Sequence, residues 1–462
     1  MMPLVGAFIV PHPPLIIPEV GRGQQKEIEK TIAAYREVAV RIAEKKPDTI
    51  IITTPHSTVY ADYLHLSPGS QAEGSFREFG ASQVRMNVQY DPAMVASITA
   101  MAEREGIPAG TLGERKSALD HATMVPLYFI RQAYPLFQLV RISLSGLSPL
   151  SHYRFGKCIA AAIEASGKRV AFVASGDLSH KLKADGPYGL APEGPVFDRE
   201  ITDAIVHGDF LRFLEFEESF CDAAAECGLR SFLMLAGALD GQAIWPELLS
   251  YEGPFGVGYA VAAFTIEGPD DARHFDQIYE EREYARVNEK KSQEDDFVRL
   301  ARKSLEQYVK TFDRISRPAD LSKKLTEAKA GVFVSLHLDG RLRGCIGTTG
   351  PTTACIADEI IRNAINAGQH DPRFEPVRAS ELDRLVYSVD VLGETEPIAS
   401  MAKLDVKRYG VIVRLKGRSG LLLPNLEGVD TPEQQVDIAL QKAGIRADEP
   451  YAMERFEVVR HF

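Results

Sequence analysis

The alternation of short apolar runs with longer amphipathic stretches constrains the fold of the first half of this chain most strongly. Apolar runs predict strands at residues 5–10, 49–53, 139–142 and 170–173. Apolar residues at helical spacing predict helices at 24–45 and 156–166. Strands separated by helices are typical of a layered α/β domain. We therefore predict an N-terminal α/β domain in which helices flank a mixed sheet.

Histidines follow three of these predicted strands, at the point where each strand ends. His12 comes after the first strand, His56 after the second, and Asp177 and His180 lie in the string SGDLSH after the fourth. Open α/β sheets build binding sites at the carboxyl ends of their strands. Imidazole is a common ligand of iron, copper and zinc. The pattern predicts a metal or catalytic site, although any one of these histidines alone is more typical of a surface residue.

Three further residues are candidates for the same site. His121 opens a predicted helix with Asp120 near its N-cap, so it is either a pocket residue or a helix-start hydrogen-bonding group. Glu226 and Cys227 precede an apolar helical run at 231–239, and either could complete a metal site. Their ordinary alternatives are a helix-start carboxylate and a packed thiol.

Composition limits the class of protein. A length of 462 residues predicts two or three domains. The 64 acidic and 53 basic residues are spread along the chain, so we see no nucleic-acid signal. Five irregularly spaced cysteines argue against a disulfide framework and favour a reducing compartment. The N-terminal apolar run ends at Pro11, too early for a membrane span. We expect a cytoplasmic protein.

The second half reads as a separate domain. The string EGPDD at 267–271 breaks the strand pattern, and residues 282–296 are highly charged. We therefore predict domains at 1–268 and 295–462, joined by a linker at 269–294. Strands are predicted at 332–338, 385–392 and 410–415, and helices at 297–311 and 352–367. This order indicates an α+β domain around a mostly antiparallel sheet.

The string LRGCIGT contains the most unusual cysteine of the chain. Cys345 stands between two glycines, with Arg341 and Arg343 nearby, and we place it in a loop before the helix at 352–367. Glycines let a backbone approach a ligand closely, and arginines pointing at the sulfur would favour the thiolate. The alternative is a small buried hydrophobe in a tight turn. His370 is a candidate partner, and Cys355 is expected to pack inside the helix.

Several N-terminal strings carry a resemblance to a known family. PHPPL, TPHS, LDHATMVPL, SGDLSH and the ECG helix, over residues 4–268, resemble the LigB-type class III extradiol dioxygenase superfamily, which includes Memo-like proteins. The resemblance implies that His12 and His56 are metal ligands and that His180 is the acid/base catalyst, with Asp177 beside it and His121 in the pocket. The third ligand is a glutamate in ring-cleaving members and a cysteine in Memo-like members, so Glu226 and Cys227 both stay open.

This resemblance implies a cofactor and a substrate class. Two histidines and a carboxylate on Fe(II) leave room for a catecholate and O2, so Fe(II) is the expected metal. Cys227 as third ligand would suit zinc or copper instead. The expected function is a non-haem, metal-dependent oxidoreductase that acts on a small aromatic, catecholic substrate.

The C-terminal half carries a second resemblance. LRGCIGT, DPRF at 371–374, YSVDVL at 387–392, and GLLLP with the later QQ resemble the AMMECR family over residues 295–462. We predict Cys345 as catalytic and Arg343, Asp371 and Arg373 as substrate-binding residues. The pair of Asp371 and Arg373 could also tie the loop down.

The combination of the two halves resembles fused proteins of the AmmeMemoRadiSam system, protein A type. Such proteins accompany a radical S-adenosylmethionine protein, which we expect as a partner, and a homo-oligomer is a further expectation. The chain lacks C-x3-C-x2-C, so it is not itself the radical enzyme. The alternative function is therefore a diverged metal-binding or scaffold module for that partner.

Overall fold

The computed structural model of the chain describes residues 3–115, 117–426 and 428–462. The chain forms two compact units that divide between Glu280 and Glu281. The stretch that we interpreted as a linker is largely helical, because helix α10 (Phe275–Gln293) occupies most of it. None of the described helices is long and apolar enough to cross a bilayer.

The first unit is built on a mixed sheet. Its described strands are β1 (Leu4–Val10), β2 (Thr49–Thr54), β3 (Leu64–His65), β4 (Gln71–Phe76), β5 (Ala81–Gln89), β6 (Ala109–Gly110), β7 (Gln138–Ser143), β8 (Val170–Ser175), β9 (Gln242–Glu252) and β10 (Tyr259–Pro269). The main sheet has the order β7-β2-β8-β1-β10-β9. Strands β7, β2, β8 and β1 are parallel, whereas β10 and β9 run antiparallel.

Helices cover both faces of this sheet. The described helices are α1 (Pro18–Gly21), α2 (Glu29–Lys45), α3 (Pro92–Arg104), α4 (His121–Ala133), α5 (Pro149–Ser166), α6 (Glu193–His207), α7 (Phe210–Leu214), α8 (Glu218–Ala224) and α9 (Leu229–Ala238). Successive strand residues face opposite sides. Ile9 and Ile51 therefore pack with α3, α5 and α9, while Phe8 and Ile50 pack with α2 and α4. This arrangement confirms the predicted α/β class.

The second unit is an antiparallel half-barrel with helices, which confirms the predicted α+β class. Its described strands are β11 (Val332–Leu338), β12 (Arg341–Gly347), β13 (Leu385–Leu392), β14 (Glu396–Ile398), β15 (Tyr409–Leu415), β16 (Arg418–Leu422) and β17 (Ala452–His461). They follow the order β12-β11-β13-β17-β15-β16, and β14 pairs with β17. The helices after α10 are α11 (Asp296–Thr311), α12 (Lys323–Glu327), α13 (Ile356–Gln369) and α14 (Pro432–Ala443).

The structure corrects our prediction for the segment around Cys345. We placed Cys345 in a loop, but it lies in strand β12 and pairs with Ser335 of β11. The neighbouring Gly344 is not a turn residue. A Cβ at Gly344 would lie 2.1 Å from the carbonyl oxygen of Ala367, so its hydrogen lets α13 pack closely on the strand. Cys355 is buried as predicted, but at the N-cap of α13 rather than inside the helix.

Candidate metal centre

The three histidine-bearing strand ends meet because their strands are neighbours in the sheet. Strand β8 lies between β1 and β2, and all three are parallel, so their carboxyl ends share one edge. His12 follows β1, His56 follows β2, and the segment from Gly176 to His180 follows β8. This is the edge at which open α/β sheets bind ligands.

Two imidazoles and one thiol converge at this edge. His12 Nε2 lies 3.2 Å from His56 Nε2 and 3.6 Å from Cys227 Sγ. Among the described residues, the ligand atoms of His12, His56 and Cys227 form a group within 4.8 Å of one another. His12 and Cys227 are mostly covered, whereas His56 is exposed. The group is therefore open on the His56 side.

The hydrogen bonds of His12 direct its second nitrogen toward this group. The Ser175 hydroxyl donates to the carbonyl oxygen of Ala122 at 2.7 Å, so its own proton is used. Ser175 Oγ also lies 3.0 Å from His12 Nδ1, which must therefore be the donor. The neutral ring then has its lone pair on Nε2. In metal-binding histidines, a hydrogen bond from the nitrogen that does not bind the metal typically fixes the tautomer of the ring.

Two glycines bring Cys227 next to His12. A Cβ on Gly176 would lie 2.2 Å from the Cα of Gly228, so the segment after β8 and the start of α9 can meet only without side chains there. The close approach lets the Cys227 backbone N–H donate to the carbonyl oxygen of Asp177 at 3.4 Å. The sequence ECG thus positions its cysteine through the glycine that follows it.

Glu226 takes the ordinary role that we considered for it. Its Oε2 accepts the backbone N–H of Leu229 at 2.7 Å, which satisfies a free donor at the start of α9. Burial raises the pKa of Glu226 to about 6. Glu226 is not a member of the group formed by His12, His56 and Cys227. Of the two open candidates for the third ligand, the structure brings Cys227 to the centre.

His121, His180 and Asp177 surround the group. The His121 ring stacks on His56 with centroids 4.3 Å apart, and Asp120 caps its helix as predicted. His180 Nε2 lies 3.8 Å from Cys227 Sγ. Asp177 Oδ1 accepts the His12 backbone N–H at 2.7 Å, and its Oδ2 lies 4.0 Å from His180 Nε2. The six predicted residues other than Glu226 therefore lie around one pocket.

Burial favours the neutral forms of the titratable side chains in this pocket. It holds the pKa of His12 well below its ordinary value, with a further contribution from the neighbouring histidines. It lowers the pKa of His121 and of His180 to about 4, and raises that of Asp177 to about 7. Burial also raises the pKa of the Cys227 thiol. Neutral imidazoles are the form that binds metals, and a cation at the centre would favour the thiolate.

Three further residues that the sequence did not indicate also shape the pocket. Ser175 is part of SGDLSH, but its role depends on strand register, which the sequence does not display. Phe79 packs edge-on against His121 with centroids 5.2 Å apart. Tyr188 stacks on His180 with centroids 5.1 Å apart. Both aromatic residues lie in segments outside the main sheet, and no periodic pattern of hydrophobic residues in the sequence indicates that they face the pocket.

The residues that we predicted for a site in the second unit are close together, but Arg343 has a different partner from the one that we expected. Arg343 does not point at Cys345, because its guanidinium binds Glu381 with Nε–Oε1 at 2.8 Å. Asp371 accepts the Cys345 backbone N–H at 2.9 Å and binds Arg373 through both carboxylate oxygens. This carboxylate does tie the segment down, which was one of our two alternatives.

Comparisons with known proteins match both units. Residues 6–262 match the family described as the catalytic LigB subunit of aromatic ring-opening dioxygenase, and residues 298–461 match AMMECR1. A protein of Clostridium acetobutylicum is 44% identical over 471 residues, covering 100% of this chain and 99% of its own length. A protein of Thermotoga maritima is 47% identical over 167 residues, covering 36% of this chain and 96% of its own length.

Solved structures of two uncharacterized proteins are also similar in part. The protein from Pyrococcus horikoshii is 36% identical, with a TM-score of 0.34, over 36% of this chain and 88% of that chain. The protein from Escherichia coli K12 is 16% identical, with a TM-score of 0.38, over 56% of this chain and 99% of that chain. From the family match over residues 6–262 and the full-length relative, the chain belongs to the LigB family, and an AMMECR1 domain follows the LigB domain in the same polypeptide.

Proposed function

We propose that the first unit is a metal-dependent oxidoreductase that acts on a small aromatic, catecholic substrate. The observation that carries this proposal is the meeting of His12 Nε2, His56 Nε2 and Cys227 Sγ at the carboxyl edge of the sheet. Family membership supports the reaction class, since the family includes catalytic subunits of ring-opening dioxygenases. We propose Fe(II) as the metal, which is typical of this family.

The side chains fit a metal and divide into two groups. His12, His56 and Cys227 would hold the metal, which would supply a Lewis acid for a catecholate and a redox-active ion for O2. His180 Nε2 lies 3.8 Å from Cys227 Sγ, and we propose that His180 accepts a phenolic proton and returns it later. Phe79 and Tyr188 supply aromatic surface at the pocket beside His121 and His180. Flat aromatic rings stack well against such walls.

Cys227 supports a second candidate function. A thiolate is softer than the carboxylate of a ring-cleaving site and suits zinc or copper(I) as well as iron. We infer that, if the oxygenase chemistry has been lost, this unit serves as a metal-binding or scaffold module for a radical S-adenosylmethionine partner. The observation in favour is that Glu226 is turned away to the Leu229 N–H.

Oxygen uptake separates the two functions. The full chain is loaded anaerobically with Fe(II), zinc or copper, and uptake is followed with a panel of catechols. We expect uptake only with the Fe(II) protein.

His180→Ala should keep the metal and lose turnover by about 100- to 10,000-fold, since that is the usual contribution of a proton-transfer group. His207→Ala, an exposed histidine at the end of α6, is the matched control. Stoichiometric Fe(II) in the unaltered protein without uptake would reject the oxidoreductase and favour the scaffold.

A further inference from the structure

The backbone of His56 is held by a chain of hydrogen bonds behind the metal centre. The His56 N–H donates to Thr54 Oγ1 at 3.2 Å. The Thr54 hydroxyl has a single proton, which it donates to Asp120 Oδ1 at 2.7 Å. Thr54 is the last residue of β2 and is fully buried. The chain therefore connects the exposed histidine of the centre to the interior of the first unit.

Asp120 is itself held through both of its carboxylate oxygens. Oδ1 also accepts the Thr123 N–H at 3.0 Å, and Oδ2 accepts the Thr123 hydroxyl at 2.8 Å. Arg141 Nη1 lies 3.7 Å from Oδ2, and the Arg141 side chain is fully buried. A carboxylate with several donors around it has little freedom to turn. Thr54 thus has an acceptor whose place is fixed.

The two histidines of the centre differ in how much the fold restrains them. His12 is buried, its backbone N–H donates to Asp177 Oδ1, and its ring binds Ser175. His56 is exposed and lies in the irregular segment after β2. An exposed ligand loses more conformational freedom when a metal binds, and a bond that orders it beforehand reduces that loss. The bond to Thr54 acts on the ligand that needs this ordering more.

The same strand carries an equivalent pair of side chains at its other end. Thr49, the first residue of β2, is fully buried and donates its hydroxyl proton to Asp91 Oδ2 at 2.6 Å. Asp91 caps α3 as Asp120 caps α4. Thr49 and Thr54 are about 16 Å apart along the strand, at about 3.3 Å per residue. The pair at Thr49 has the same chemistry but lies away from the metal centre.

We propose that Thr54 and Asp120 are positioning residues of the metal centre, because their hydrogen bond fixes the place of His56 and so raises the metal affinity. Neither side chain belongs to the group of ligand atoms formed by His12, His56 and Cys227. Both act through the backbone N–H of His56. The inference rests on the metal-binding part of the proposed function and does not depend on its oxygen chemistry.

Metal affinity of Thr54 variants tests the proposal. Zinc is the probe, and its dissociation constant from the full chain is measured by competition with a chelator. Thr54→Val keeps the shape of the side chain but removes the hydroxyl. We expect its dissociation constant to rise about tenfold at unchanged stoichiometry, the lower end of the usual effect of groups that support metal ligands. Thr54→Ser restores the hydroxyl and should bring the affinity back to that of the unaltered protein.

Thr49→Val is the matched control. It removes an equivalent buried hydrogen bond to a helix-capping aspartate, so its cost in stability without metal should be similar to that of Thr54→Val. Thermal unfolding of the metal-free proteins measures this cost. Its zinc affinity should equal that of the unaltered protein. The comparison separates an effect on the position of His56 from a general loss of stability.

Asp120→Ser tests the other partner of the hydrogen bond. Serine is also a favourable N-cap residue, so the start of α4 keeps a capping side chain while the carboxylate is lost. We expect a similar rise of about tenfold in the dissociation constant of zinc. The double variant Thr54→Val/Asp120→Ser should bind zinc no more weakly than the weaker single variant, because both changes break the same connection.

The proposal is overturned if folded Thr54→Val binds zinc as tightly as the unaltered chain, or if Thr49→Val weakens binding equally. Failure of Thr54→Ser to restore the affinity would also overturn it. Should Thr54→Val not fold, the zinc affinity of Asp120→Ser decides. An unaltered chain that binds no metal would overturn both this inference and the proposed function. Metal binding without oxygen uptake would reject the proposed oxidoreductase alone.

Discussion

At the residue scale, two neighbouring side chains decide what the metal centre can do. Cys227 Sγ lies 3.6 Å from His12 Nε2, whereas Glu226 accepts the backbone N–H of Leu229. Of the two, only the Cys227 side chain belongs to the group that the described residues form with His12 and His56. A thiolate in this position gives the centre softer donors than two histidines and a carboxylate would.

Metal content tests this ligand set. We expect His12→Ala and Cys227→Ala to lose stoichiometric metal under dilute chelator, because each removes one of three donors. Glu226→Gln is the matched control and should retain the metal, since a glutamine oxygen can still accept the Leu229 N–H. Metal analysis after gel filtration measures the stoichiometry. The opposite result, with metal kept by Cys227→Ala and lost by Glu226→Gln, would make Glu226 the third ligand.

Ser175 should tune the centre without touching the metal. Ser175→Ala removes the acceptor of the His12 Nδ1 proton, and loss of such a partner typically costs about 10- to 100-fold in metal affinity. We expect the dissociation constant to rise by about tenfold at unchanged stoichiometry, measured by competition with a chelator. Ser231→Ala is the control, because its buried hydroxyl pairs with Thr53 and not with a ligand. Equal affinity in both variants would refute the role of Ser175.

At the element scale, the sequence predicted the features that follow from hydrophobic periodicity and from the positions of strand ends. His12, His56 and His180 could be placed at one edge because each follows a buried parallel strand. The choice of Cys227 over Glu226 could not be predicted. It depends on the contact between Gly176 and Gly228, which are far apart in sequence. Phe79 and Tyr188 were missed for a related reason, since tertiary contacts alone bring them to the pocket.

The segment around Cys345 was predicted as a loop because of its glycines, but it is a strand. Gly344 and Gly347 suggested a turn, but both lie within β12. Their missing side chains make room for Ala367 of α13 and for the ring of Phe333. The same strand also shows why Arg343 does not reach the thiol, because its guanidinium pairs with Glu381.

Replacing one of these glycines tests the packing of α13 on β12. In Gly344→Ala, the new methyl would meet the Ala367 carbonyl oxygen, a backbone atom that moves only with its helix. We expect a loss of about 2–3 kcal/mol in local stability, as for other overpacked sites. Hydrogen exchange of peptides from α13 and β12 measures it. Gly350→Ala, where a Cβ meets nothing within 4 Å, should stay within about 0.5 kcal/mol. Equal exchange in the two variants would contradict this packing.

At the scale of the whole molecule, each unit has its own buried cores. The cores of the first unit are formed by residues of β1 to β10 and their helices, and those of the second unit by residues from Phe297 onward. Separate cores permit separate unfolding transitions. A ligand that binds one native unit stabilises that unit by mass action and leaves the other unchanged.

Metal should therefore stabilise the first unit selectively. At a free metal concentration about 100 times the dissociation constant, the expected gain is about 2.7 kcal/mol. Scanning calorimetry should show one transition moving up with metal, and hydrogen exchange should assign it to peptides of β1, β2 and α9. In Cys227→Ala the shift should disappear, while Cys345→Ser should leave it intact, because Cys345 belongs to the second unit. A shift that Cys345→Ser abolishes and Cys227→Ala leaves in place would put the metal in the second unit and remove the basis for a LigB-type centre at His12 and His56.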